Sequence, residues 1–156
     1  QRMASTSFRL KRVTFLGRET KILLQNENGP CPLLAICNAL ILRNQLQIHQ
    51  DYSEVSNDHL IQLVANRIIE SNPIAANESV AANQRKTIDD VISVLPKLLV
   101  GLDVNVRFRQ VTDFEYTPEM ATFDLLDMTM YHGWLLDEQD RDTVSTGAFS
   151  SVLTGC

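Results

Sequence analysis

The chain has 156 residues, 44% hydrophobic and 21% charged, with a formal net charge of −5 and a pI near 5.1. That length holds one domain with a sizeable core. The acidic balance argues against nucleic acid as the main partner, because phosphate neutralisation takes clustered Lys and Arg. Cys31, Cys37 and Cys156 cannot all pair within the chain, which rules out a disulfide scaffold and fits a reducing compartment. No secretory h-region opens the sequence, and its longest apolar stretch, Leu33 to Leu42, is broken by Asn38 and is shorter than the ~20 residues of a bilayer span. Gln1 at the start and Thr154-Gly155-Cys156 at the end read as cut ends.

In chain order, Arg12 to Leu24 is rich in Val, Thr, Phe and Ile around Gly17, the pattern of a β-hairpin with its turn there. A polar loop, Asn26-Glu27-Asn28-Gly29-Pro30, follows. From Cys31 to about Gln45 the composition is helical and apolar on nearly every side, which places that helix in the middle of the core. Leu60, Ile61, Leu63, Val64, Ile68 and Ile69 keep the helical period between polar Ser56-Asn57-Asp58 and the stop signal Asn72-Pro73. Pro73 to Gln84 reads as a loop. A third helix is expected from Thr87, with Asp90 at capping-box spacing, presenting Ile88, Val91, Ile92 and Leu95 and ending or kinking at Pro96. Val104, Val106 and Phe108 alternate with polar residues like a half-buried strand. Thr112 to Pro118 is expected to be irregular, Phe123 to Leu126 a short helical turn, Tyr131 to Leu136 a strand or packed loop, and Asp137 to Gly147 exposed.

The chemistry concentrates between Gln25 and Leu34. A nucleophilic cysteine acts as the thiolate, so a thiol with a pKa of about 8.5 must be acidified, and a helix N-terminus favours an anion. Pro32 suits a first helical position, which puts Cys31 at the N-cap with its sulfur facing the amides of Leu33 and Leu34. Gly29-Pro30 makes a constrained turn that aims the side chain outward. Gln25, six residues upstream at a strand end, is placed to donate its amide to a developing oxyanion. The same residues also fit a plain strand-to-helix turn, with Cys31 a small, partly buried residue and Gln25 an ordinary strand end. Cys37, further along the apolar helix, reads as core.

Gln25-Asn26-Glu27-Asn28-Gly29-Pro30-Cys31-Pro32-Leu33-Leu34-Ala35-Ile36, followed by Asn38 and Leu40, resembles the active-site signature of the MINDY deubiquitinases. Further blocks resemble the same family: Gly101 to Phe108, Phe114 to Glu119 with Phe123 to Leu126, and Tyr131-His132-Gly133-Trp134-Leu135. Together they cover roughly residues 13–140.

The resemblance implies an α+β, papain-related cysteine peptidase whose central buried helix carries the nucleophile against a β-sheet, incomplete in this chain. It implies one truncated catalytic domain over residues 8–156, with residues 1–7 disordered. It also implies hydrolysis of isopeptide bonds in polyubiquitin linked through lysine forty-eight of ubiquitin, without metal or organic cofactor. Ubiquitin and its chains are then the partners, rather than nucleic acid or membrane, and the location is cytoplasmic or also nuclear. Cys31 would be the nucleophile, Gln25 the oxyanion support, and Asn28, Gly29 and Pro30 the active-site loop. The family's general-base histidine lies in a later segment that this chain does not contain. Of the histidines present, His49 and His59 read as surface residues, and His132 is a weak substitute that reads better as packed or hydrogen-bonded. The chain alone is therefore expected to be inactive. Two other classes remain, a ubiquitin-chain-binding pseudoenzyme and a cysteine amidase acting on small substrates.

Overall fold

Phe8, Val13, Thr14 and Phe15 favour extended backbone in strand β1 (Ser7–Phe15), as Thr20 and Ile22 do in β2 (Arg18–Leu23), and the two pair antiparallel from Phe15 opposite Arg18 to Leu10 opposite Leu23. Leu16 and Gly17 join them with φ of 48° and 75°, positive at both positions as a tight hairpin twist demands. The chain is described by a computed structural model covering residues 7–26 and 29–133. A third strand, β3 (Glu54–Ser56), pairs antiparallel with the start of β1, giving the order β2-β1-β3. Ser7, expected outside the domain, lies opposite Ser56.

Helix α1 (Cys31–Leu42) lies at the centre, against β2, α2 (Asn57–Ser71) and a 3-10 turn over Leu95–Leu99. Its Leu33, Leu34, Ile36, Cys37, Leu40 and Ile41 are buried, as the all-round apolar composition predicts. Each fully buried leucine contributes about 1.5–3 kcal/mol. The helix ends three residues before Gln45. Arg18 Nη2 donates to the carbonyls of Ile41 and Leu42 at 3.1 and 3.0 Å, and Asn44 turns left-handed with φ 59°. Helix α2 starts at Asn57, within the polar stretch expected to precede it, with Ser56 as N-cap accepting from the His59 amide.

Two expectations are corrected. Helix α3 spans Glu78–Val94, so the second half of the expected loop is helical. Asn77 caps it by accepting from the amides of Ser79 and Val80, and a good N-cap outweighs the loop-like Asn and Ser content around it. Thr87, placed at the helix start, is instead mid-helix, its hydroxyl donating to the Asn83 carbonyl at 3.0 Å. The strand expected over Val104 to Phe108 is reduced to one bridge, Val106 opposite Phe114. Alternation specifies a face but supplies no partner strand, and Phe108 stays 63% exposed. The short turn appears as α4 (Ala121–Leu125). Trp134 to Leu136 and the stretch expected to be exposed lie outside the described residues. Among the described residues, no helix is long and apolar enough to cross a membrane.

Candidate active site

The hairpin delivers Gln25 and the core helix delivers Cys31. Beyond β2, the Leu24 amide donates to the Arg9 carbonyl at 2.9 Å, and Asn26 Nδ2 donates to the Ser7 carbonyl at 2.8 Å. Gln25 is thus flanked by two anchored residues, and its Nε2 donates to Cys31 Sγ at 3.1 Å. Two side chains six positions apart, one two residues beyond β2 and the other at the start of α1, meet at hydrogen-bond distance.

The start of the helix differs by one residue from expectation. Pro30 is the N-cap and Cys31 the first helical residue, with Pro32 second. The first amides of a helix have no intrahelical acceptor, so a proline costs no helical bond at either of its first two positions. The Leu34 amide does not face the sulfur. It donates to the Pro30 carbonyl at 3.0 Å, closing the first helical turn. Cys31 still lies in the first turn, at the positive end of the helix dipole.

The two described cysteines have opposite environments. Cys31 is exposed and Cys37 is buried. Burial raises the Cys37 thiol from 9.0 to about 12, because the thiolate loses hydration among apolar side chains.

Of the expected active-site loop, Asn28 lies outside the described residues. Gly29 has φ of +124°, and a Cβ there would come within 3.2 Å of the Leu99 carbonyl oxygen. Glycine is required both for the left-handed backbone and for this approach to the 3-10 turn. Pro30 is buried beside it.

His132 takes part in a different cluster. Its Nε2 lies 2.9 Å from the Gln110 carbonyl oxygen, its backbone amide donates to the Val111 carbonyl, and its ring meets Phe108 and Phe114 edge-on. His49 is exposed beside Asp51, and His59 packs edge-on against Tyr52. Among the described residues, no group of three or more His, Cys, Asp or Glu is arranged to hold a metal ion.

A cleft of about 290 Å³ between the hairpin and the segment after α1 includes neither Gln25 nor Cys31. Its two basic side chains serve the backbone: Arg18 at the end of α1, and Lys21 on the carbonyls of Gln50 and Tyr52.

In the sequence Asn38 stands out as a break in the apolar run and as part of the block that resembles the family signature, with no role attached to it. In the structure its Oδ1 accepts from the Leu23 amide at 2.7 Å, and its Nδ2 donates to the Leu23 carbonyl at 3.1 Å. A lone polar residue seven positions after Cys31 was the available signal, since two helical turns bring it to the same side.

Fold and site define an α+β protein that presents an accessible thiol at the start of its core helix, with a side-chain amide held on the sulfur. A family model described as MINDY deubiquitinase matches residues 6–151. The chain is 43% identical over 136 residues to ubiquitin carboxyl-terminal hydrolase MINDY-1 of Mus musculus, covering 87% of this chain and 29% of that protein. It is 43% identical over 135 residues to the Homo sapiens MINDY-1, covering 86% and 29%. To ubiquitin carboxyl-terminal hydrolase MINDY-2 of Mus musculus it is 41% identical over 137 residues, covering 88% and 23%. The chain therefore spans less than a third of the length of these relatives. It belongs to the MINDY deubiquitinase family.

Proposed function

We propose that this chain carries the nucleophile of a cysteine-dependent, papain-related deubiquitinase that hydrolyses isopeptide bonds in lysine-forty-eight-linked polyubiquitin. The observation that supports this most directly is the 3.1 Å contact from Gln25 Nε2 to Cys31 Sγ at an accessible helix start. Family membership supports ubiquitin as the substrate.

In this reading the Cys31 thiolate attacks the carbonyl carbon of ubiquitin's C-terminal glycine, and charge develops on the carbonyl oxygen. The Gln25 amide, already beside the sulfur, donates to that oxyanion. The carbon–nitrogen bond breaks, and the lysine amine leaves with a proton returned by the general base. Water then hydrolyses the thioester, freeing the ubiquitin carboxylate and regenerating the thiol. The chain needs no metal or organic cofactor for these steps, and it acts in the cytoplasm or also the nucleus.

Of the chain's histidines, His132 is the weak candidate for the base, and its surroundings favour a packed role. It is engaged by the Gln110 carbonyl and two phenylalanines, which supports the reading, implied by the family resemblance, that the base is a histidine outside these residues. Losing one member of such a unit costs several orders of magnitude in rate, roughly 10⁴ or more. The 156-residue chain alone is therefore expected to cleave polyubiquitin negligibly beside the full-length protein.

The test is cleavage of lysine-forty-eight-linked chains by the full-length protein and its Cys31→Ala variant, with labelling by ubiquitin bearing a C-terminal electrophile. Cleavage and labelling that both vanish in Cys31→Ala support the reading. Undiminished cleavage by Cys31→Ala refutes it, and tight chain binding by the wild type with neither cleavage nor labelling points to a binding module instead.

A further inference from the structure

We propose that Asn38 is a positioning residue of this active site, setting the end of β2 so that the Gln25 amide meets Cys31 Sγ. The inference rests on the reading of Cys31 as nucleophile and Gln25 as oxyanion donor.

Asparagine is a poor interior residue for a helix, about 0.5 kcal/mol or more worse than alanine. Here it interrupts an otherwise apolar core helix. Its amide meets both backbone groups of Leu23, accepting at 2.7 Å and donating at 3.1 Å. Those groups point away from β1, because the next amide, that of Leu24, is the one that bonds the β1 residue Arg9. Asn38 thus supplies what a neighbouring strand would supply at the open edge of β2. A single bond would leave a pivot, whereas two antiparallel bonds fix both separation and rotation.

The clamp lies seven residues along a rigid helix from Cys31, about 10.5 Å at 1.5 Å per residue. On the strand side it lies two residues from Gln25. Helix, clamp and strand form three sides of a frame, and the Gln25–Cys31 contact closes the fourth. The anchors of Leu24 and Asn26 run to β1, so they tie Gln25 to the sheet. Asn38 ties that sheet edge to the helix carrying the sulfur. Without it, Gln25 remains attached to the hairpin but loses its register with Cys31.

A group that acts through Gln25 has a distinctive signature in a double-mutant cycle on the full-length protein with lysine-forty-eight-linked diubiquitin. Gln25→Ala is expected to lower kcat about 10²–10³-fold. Asn38→Ala is expected to lower it about 10- to 10²-fold with KM within about twofold, the cost of displacing a reacting group by an ångström or less. In the Gln25→Ala background, Asn38→Ala is expected to change kcat less than about threefold, because the side chain it positions is gone.

An equal loss from Asn38→Ala in both backgrounds, or wild-type kcat for Asn38→Ala alone, overturns the proposal. If circular dichroism finds Asn38→Ala unfolded, Asn38→Asp takes its place in the same cycle, keeping the acceptor for the Leu23 amide and losing the donor; the same two outcomes decide. Undiminished cleavage by Cys31→Ala would instead overturn the underlying assignment of the nucleophile, and this inference with it. An inactive Cys31→Ala beside an unimpaired Asn38→Ala overturns the positioning role alone.

Discussion

The Gln25 side-chain amide donates to the Cys31 sulfur across 3.1 Å, joining the residue that follows the hairpin to the first residue of the core helix. Gln25→Glu keeps the shape and replaces the N–H donor with a carboxylate that cannot donate near neutral pH. Under the proposed role of Gln25 as oxyanion donor, kcat of the full-length protein on polyubiquitin is expected to fall at least about 10²-fold. Melting temperature should move little, because both side chains are exposed. Steady-state kinetics with a thermal melt checks both.

Gly29→Ala probes the loop that precedes Cys31. The added Cβ would sit 3.2 Å from the Leu99 carbonyl oxygen at a backbone φ of +124°, and the neighbour in the way is backbone. A non-glycine residue in such a conformation costs about 1–3 kcal/mol. Relieving it moves Pro30 and the start of α1, so kcat is expected to drop about tenfold or more alongside a lowered melting temperature.

Cys31 and Cys37 should separate cleanly in alkylation. A neutral haloacetamide applied to the native protein is expected to modify exposed Cys31 and spare buried Cys37, as read by peptide mass mapping. The raised Cys37 thiol also carries a pH signature. Its folded value, about 12, lies above its unfolded 9.0, so the unfolded state releases its proton first as pH rises. The stability linked to Cys37 is full below pH about 9 and is lost progressively between there and about 12. Cys37→Ala should flatten that alkaline slope in chemical denaturation.

Lys97 of the 3-10 turn and Glu119, just before α4, form an ion pair at 3.1 Å. The Glu119 carboxyl lies below its ordinary range, chiefly through a hydrogen bond with its own backbone and next through Lys97. A lowered folded value means stability that is present above the unfolded pKa, about 4.3 for glutamate, and lost as pH falls through the folded value. The stability gap between wild type and Glu119→Gln is therefore expected to shrink as pH falls from above about 4.3 through the lowered folded value. Denaturant melts of the two proteins across that range provide the check.

Much of the fold was legible because local rules and packing agreed. The hairpin around Gly17, the buried character of α1 and the start of α2 at Ser56 each carry their own signal: a turn glycine, an all-round apolar helix, a polar cap before an amphipathic run. Cys31 and Gln25 were legible as candidates for the same reason, since thiol, prolines and strand end crowd into a few residues. The start of α3 was obscured because asparagine serves equally as loop residue and as N-cap. Val104 to Phe108 read as a strand because side-chain alternation is local, while the partner that makes a strand is not.

By itself, the sequence determined a core helix that opens on a cysteine and a strand end that carries a glutamine, because periodicity and breakers act over a few residues. Tertiary structure alone decided that the glutamine amide reaches the sulfur, that Asn38 fastens the strand edge to the helix, and that Gly29 rests on the Leu99 carbonyl. Those contacts join residues from 6 to 70 positions apart or link separate elements. Only the packed core fixes the geometry in which such distant groups meet.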